Sequence, residues 1–389
     1  MEYGLYLHLP YCRSLCPYCA FAKAPLHHAE PGRLVRALAA EWTLAASEAP
    51  AAWRAARPRT IFVGGGTPTA LDEATLEAFL DWVRAEFPVS SVREWTVEAN
   101  PEGLGIEKLR LLRSAGVDRL SIGVQSFEPD VLRALGRIHT AEGAARAVER
   151  ARTAGFENLS VDLMAGVPRE TAAGFERGIE RVIELGVPHV SLYALQVEEG
   201  TPLAVKAARG AIAIPSDDEA AARYDAAALV LARAGYRRYE VSSWARPGHE
   251  SRHNQAYWIR RPYLGLGPGA HSFDGARRWG NEQDVARWFA RVEAGELPRG
   301  EMRSLTERDA IEEAVFLGLR RTRGVRRRAI FNAAFRDRKV AETWTRWGEA
   351  AGALRRGDRA RVRPTEHGLM TALETASELF ARADRARPG

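Results

Sequence analysis

Cysteine is nearly absent from this chain: three residues in 389, all within eight positions of one another. So small and odd a count excludes a disulfide framework. Lysine is scarce too, four against 52 arginines, and no tract interleaves aromatic with basic residues. The net charge of +6 therefore reads as a compositional habit, and no nucleic-acid partner is expected, although a modestly positive surface favours an acidic ligand or partner. No run of about 18 apolar residues occurs, and no charged segment followed by an apolar one opens the chain. Membrane spanning and secretion are thus unsupported, and the expected location is the cytoplasm, where thiols stay reduced. With 46% hydrophobic residues the chain can bury a large core, and its length predicts one large domain with a smaller second one.

The cysteines themselves sit in HLPYCRSLCPYCAF, as Cys12, Cys16 and Cys19, spaced Cys-x-x-x-Cys-x-x-Cys. Positions i, i+4 and i+7 could line one helix face, but Pro10 and Pro17 push their neighbours toward extended geometry, so a loop is expected. Thiolates crowded in this way point to metal. A structural zinc wants four closed ligands, and no fourth cysteine or finger-spaced histidine is present. A four-iron cluster takes one thiolate per iron, so three leave one iron open to a substrate. The cluster is favoured over zinc or inert buried thiols.

Short apolar runs alternate with stretches of helical periodicity over the first two thirds of the chain. Strands are expected at 4–9, 60–63, 94–98, 118–123, 158–164 and 189–195, and helices at 32–49, 72–87, 106–115, 141–154, 171–185 and 217–235. Alternation of this kind implies a parallel sheet, curled or barrel-like, with its chemistry at the strand C-terminal ends. Residues 236–258 read as a long loop or excursion, and YLGLGPGAHS (263–272) as too glycine-rich for an ordinary strand. Beyond 298–305 the pattern turns helical, with a short hairpin strand at 359–364. The expected division is therefore residues 1–297 and 298–389.

Polar residues collect where the strands should end. Gly64, Gly65, Gly66, Thr67 and Pro68 follow the second strand; this is either a tight turn or a loop whose main chain approaches a ligand. Glu98 ends the third strand, Gln125 the fourth, and Asp162 lies in the fifth. Buried carboxylates are costly unless paired or binding something, so the set invites a ligand with amine and hydroxyl groups, and Arg137 offers a fork for a carboxylate. Taken singly, each could equally be a solvated or salt-bridged group.

The stretch YLHLPYC, the cysteine motif and the closing CAF resemble the cluster motif of radical S-adenosylmethionine (SAM) proteins, and within them the branch of the anaerobic coproporphyrinogen oxidases and HemW heme chaperones. Similarity runs from residue 5 to about 272. It implies an α/β fold, a partial (βα)6 TIM-like barrel, with a small, mainly helical, winged-helix-like C-terminal domain. It also implies a [4Fe-4S] cluster on the three cysteines, SAM on the open iron, and SAM contacts from Tyr6, Tyr18, Gly65, Gly66, Thr67, Glu98, Gln125, Arg137, Asp162 and Ala194.

Two departures discriminate within the branch. The oxidases carry a fourth cysteine where Phe21 stands here, and an N-terminal extension, whereas this chain starts eleven residues before Cys12. Instead HNQAYW, beginning at His253, matches the HNxxYW motif associated with the chaperones. That resemblance implies heme contact by His253, with His249 and His271 as spare candidates and Arg246 or Arg252 for propionates. On residue types alone a core histidine packed among aromatics is the simpler account. Implied partners are heme, an acceptor hemoprotein, a transient membrane-protein client and, if SAM is cleaved, an electron donor. The rival functions are oxygen-independent coproporphyrinogen III oxidation and a structural zinc protein.

Overall fold

A computed structural model describes residues 2–30, 32–49, 56–333, 338–356 and 361–385. The six expected strands form: β1 (Glu2–Leu9), β2 (Arg57–Gly65), β3 (Trp95–Ala99), β4 (Arg119–Gln125), β5 (Asn158–Ala165) and β6 (His189–Ala194). They lie side by side in chain order, each parallel to the next. Helices α1 (Arg33–Glu48), α2 (Glu73–Glu86), α3 (Ile106–Ala115), α4 (Ala141–Thr153) and α5 (Ala172–Glu184) connect them.

Period-two alternation decides what each sheet face holds. Leu5, Leu7 and Leu9 of β1, Ile61 and Val63 of β2, Val97 of β3, Leu120 and Ile122 of β4 and Val161 of β5 join one apolar cluster with Leu38, Phe79, Leu109, Val148 and Ile179 of the helices. Each such leucine or isoleucine, at 0–1% exposure, is worth about 2 kcal/mol of burial. The intervening positions on the opposite face are polar or aromatic: Tyr6 and His8, Thr60 and Phe62, Thr96 and Glu98, Arg119 and Ser121, Ser160 and Asp162, His189 and Ser191. The helix-covered face supplies the core, and the other face supplies the site.

After β6 the alternation ends. Helix α6 (Asp217–Arg233) leads to β7 (Arg237–Glu240) and β8 (Ser243–Ala245), which extend the sheet antiparallel beyond β6. The expected loop at 236–258 thus holds two strands and a helix, α7 (Arg252–Trp258). Helix α7 exists through a partner remote in sequence. The Glu94 carboxylate accepts from the backbone N–H of Arg252 (2.7 Å) and His253 (2.9 Å), satisfying donors that a helix start leaves open.

The glycine-rich stretch is a strand as well. β9 (Tyr263–Leu266) pairs parallel with β1 on the side away from β2, Tyr6 standing opposite Gly265. A parallel partner supplies the ladder that the local sequence does not advertise. β10 (His271–Phe273), β11 (Arg277–Gly280) and β12 (Arg303–Ser304) continue the sheet antiparallel, giving an open twelve-stranded order β12-β11-β10-β9-β1-β2-β3-β4-β5-β6-β8-β7.

The rest of the chain has its own apolar cluster, including Val315, Ile330, Trp344 and Leu379. Helix α8 (Glu307–Leu319) precedes an antiparallel three-stranded sheet of β13 (Val325–Arg326), β14 (Leu354–Arg356) and β15 (Arg361–Pro364), with helices at Arg327–Ala333, Arg338–Ala350 and Ala372–Arg385. Residues 359 and 360 of the expected hairpin strand lie outside the described residues. No helix among the described residues is long and apolar enough to cross a membrane.

Candidate functional site

The cysteine loop leaves the C-terminal end of β1 and is clamped against the loop after β2. The Gly66 N–H donates to the Leu9 carbonyl (2.8 Å), and the Thr67 N–H to that of Tyr11 (2.9 Å). A Cβ on Gly66 would lie 2.6–2.8 Å from the Pro10 and Tyr11 backbone, and Gly65, at φ 103°, faces the His8 ring. The glycines are therefore needed for chain against chain, whatever else approaches them. On its far side the cysteine loop is held by Ser14 Oγ on the Gly136 carbonyl (3.2 Å) and by the Leu203 N–H on that of Pro17 (2.9 Å).

A continuous polar chain ties two of the sulfurs to three strand ends. Thr67 Oγ1 donates to Cys12 Sγ (3.8 Å) and accepts from Asn100 Nδ2 (3.1 Å). Asn100 Oδ1 accepts from Arg137 Nη2 (2.6 Å), which also meets the Gly123 carbonyl, and Arg137 Nη1 donates to Cys16 Sγ (3.6 Å). Donors aimed at sulfur favour the thiolate and adjust whatever metal it holds. Against them, burial pushes the Cys12 thiol up to about 11. All three thiols are partly exposed. Asn100 is the member of this chain that sequence reasoning missed, although it follows Glu98 by two positions in EANP and so shares its sheet face.

Farther along the polar face, Glu98 accepts from the Gly65 N–H (3.1 Å), and burial together with the Asp162 charge pushes its carboxyl up to about 7. Asp162 is raised by burial and held by Ser121 Oγ (3.0 Å) and Ser160 Oγ (3.2 Å). Arg119, 1% exposed, is the buried cation whose charge favours both carboxylates, a second residue the sequence did not single out. Gln125 closes β4 in a left-handed conformation, φ 66°, where the pairing with β5 slips by one. Such strain in a residue with a Cβ is held in place by its surroundings and clusters at functional positions. Tyr6 donates toward His8 Nδ1 (3.0 Å) and stacks on Phe62. Tyr18 packs on Val131, Leu135, Met164 and Val167, its phenol raised by burial and by the Cys16 charge. Ala194 is exposed at the end of β6.

The structure therefore brings Cys12, Cys16, Gly65, Gly66, Thr67, Glu98, Arg137 and Asp162 to one end of the sheet, with Tyr6, Tyr18, Cys19, Gln125 and Ala194 around them. His253 is not among them. Its ring is 1% exposed, with Nδ1 at 2.8 Å from Thr60 Oγ1 and Nε2 at 2.8 Å from the Tyr257 hydroxyl. Burial and the Arg119 charge push it down to about 3, so it is neutral. His253, expected to contact heme, is here a buried histidine with Thr60 and Tyr257 at its two ring nitrogens. Of its motif, Tyr257 reaches a cavity of about 510 Å³ that also borders Tyr6 and Phe21.

Residues 6–192 match the radical SAM superfamily. The chain is 38% identical over 323 residues to a protein of Bacillus subtilis named heme chaperone HemW, covering 82% of this chain and 84% of that one. It is 39% identical over 342 residues to the protein of the same name in Mycobacterium tuberculosis, covering 87% and 86%. This chain belongs to the radical SAM superfamily, in the HemW group. Its fold is also that of the coproporphyrinogen III oxidase HemN from Escherichia coli, with a TM-score of 0.80 at 23% identity over 97% of this chain and 90% of that one. Membership of the radical SAM family implies a [4Fe-4S] cluster and SAM.

The residues present fit such a cluster: three partly exposed thiols on one loop, two of them receiving hydrogen bonds from strand-end side chains. Among the described residues no three His, Cys, Asp or Glu side chains converge on one metal ion. A cluster does not ask for that, since each thiolate serves a separate iron.

Proposed function

We propose that this chain is a HemW-like heme chaperone, which binds heme, a [4Fe-4S] cluster and SAM and delivers heme to an acceptor hemoprotein in the cytoplasm. The observation that carries the reading is the 38–39% identity, over more than four fifths of the chain, to proteins named for that role. Phe21 supports it too: where the oxidases place a fourth cysteine, this chain has an apolar ring, 70% exposed.

In this reading Cys12, Cys16 and Cys19 would hold the cluster, which would supply the electron for any SAM cleavage. Gly65, Gly66 and Thr67 form the edge against which the methionine end of SAM lies. Glu98 and Asp162 would receive its amine and hydroxyl groups, Arg137 would turn from its present partners toward the carboxylate, and Tyr6, Tyr18, Gln125 and Ala194 would border it. Thr67 and Arg137 position the sulfurs. Residues 1–297 carry the cluster, SAM and heme region, and residues 298–389 form the smaller domain, a division supported by its separate apolar cluster.

The test is a paired assay on anaerobically reconstituted protein. Heme added to it should give a Soret band, whereas coproporphyrinogen III with SAM and a reductant should yield no vinyl product. Conversion of coproporphyrinogen III would make the protein an oxidase.

A further inference from the structure

Three histidines near the inner sheet face have both ring nitrogens engaged, and a fourth does not. His8 meets the Tyr6 hydroxyl (3.0 Å) and the Ala22 carbonyl (2.7 Å). His189 meets Ser160 Oγ and the Tyr239 hydroxyl, both at 2.8 Å. His253 meets Thr60 and Tyr257. The fourth, His271, is exposed at the start of β10, and among the described residues its ring has no hydrogen-bond or ion-pair partner. It lies against the bare backbone of Gly280, its cross-strand neighbour; a Cβ there would come within 3.0 Å of the imidazole.

This free imidazole borders the cavity of about 510 Å³ that Tyr257 reaches. The volume is in the range of small-molecule and cofactor sites, roughly 300–1,000 Å³. Its aromatic surface comes from Tyr6, Phe21, Tyr257 and Tyr263, and Leu317 of α8 contributes an apolar edge from the C-terminal part. Two cations border it as well. Arg260 Nε and Arg278 share a single carboxylate, that of Glu313, at 2.8–2.9 Å, so one positive charge is left over. Among the described residues Arg260 Nη2 is buried with no hydrogen-bond partner, its guanidinium lies over the Phe273 ring (5.1 Å), and its backbone is left-handed at φ 54°. An unpaired buried guanidinium donor costs stability unless something accepts from it.

We propose that this cavity takes a flat metal macrocycle bearing carboxylates, with His271 on the metal and Arg260 and Arg278 on the carboxylates. The proposal rests on the heme-binding reading above and assigns its residues. A neutral imidazole nitrogen is a proximal ligand for heme iron, aromatic faces suit the ring, and guanidinium forks suit propionates. His253 acts in this arrangement as a positioning residue, through Tyr257.

The test is heme titration of the anaerobically reconstituted full chain, read by absorption and electron paramagnetic resonance. Wild type is expected to show histidine-ligated iron. His271→Ala should weaken binding by about tenfold or more and shift the Soret band, and added imidazole should restore both. His271→Tyr, which keeps the bulk, should exchange the imidazole signature for a phenolate one. Arg278→Gln should weaken binding of heme but leave that of its dimethyl ester unchanged. If His271→Ala and His271→Tyr both titrate with the wild-type spectrum, the assignment is overturned while the heme-binding reading stands. If the wild type itself gives no Soret band, both fall.

Discussion

His253 Nε2 lies 2.8 Å from the hydroxyl of Tyr257, one helical turn away, while Nδ1 is held at the same distance by Thr60. The histidine of HNQAYW thereby fixes the direction of a tyrosine at the cavity wall and ties α7 to β2. His253→Ala removes both bonds and leaves a void, which should cost about 3 kcal/mol in unfolding experiments. The Soret maximum of whatever heme complex remains should stay where the wild type has it.

Asn100 joins Thr67 to Arg137 and so connects the donors on two cysteine sulfurs. Asn100→Ala should leave iron and sulfide content intact but free both partners to move. SAM binding, followed by equilibrium dialysis, should weaken by about ten- to a hundredfold, the usual effect of losing a residue that orients metal-site ligands.

Glu98 sits near pH 7 because burial and Asp162 both resist its ionisation. A cationic amine is attracted only by the ionised form, so below pH 7 its binding must expel a proton. SAM affinity should therefore rise from pH 6 to pH 8 and level off above, and Glu98→Gln should flatten the profile over that interval.

Glu41 of α1 accepts from the Gly267 N–H (2.8 Å), Asn281 Nδ2 (2.6 Å) and Trp288 Nε1 (3.1 Å), so it pins the turn that carries His271. Burial pushes its carboxyl up from 4.5 to about 7. Between those values the folded state keeps a proton that the unfolded state has lost. The stabilisation is complete below pH 4.5 and is lost as pH rises through about 7. Relative to Glu41→Gln, which does not titrate, the wild type should lose on the order of 3 kcal/mol over this range, measured by denaturant unfolding at pH 4.5 and pH 8.

The parts of this fold that the sequence reveals are those whose signal is local. Leu5, Leu7 and Leu9, or Ile61 and Val63, mark strands without knowledge of their neighbours, and three cysteines on a proline-bearing loop mark the proposed cluster site. β9 is different. YLGL becomes a strand because β1 lies alongside, with Tyr6 opposite Gly265, and nothing in its composition says so. Helix α7 depends likewise on Glu94, some 160 positions away. Asn100 was within reach: alternation alone places it on the face of Glu98. The hydrogen bonds of His253 were not, since whether an imidazole nitrogen is free depends on Thr60, which only folding brings to it.

Heme transfer tests the account most directly. Anaerobically reconstituted protein, loaded with one equivalent of heme, is mixed with an apo-hemoprotein, and the two Soret spectra are followed after separation. The account predicts that heme moves to the acceptor and that the donor keeps its iron–sulfur cluster. Heme that stays on the donor indefinitely, or that never binds it, would contradict the account.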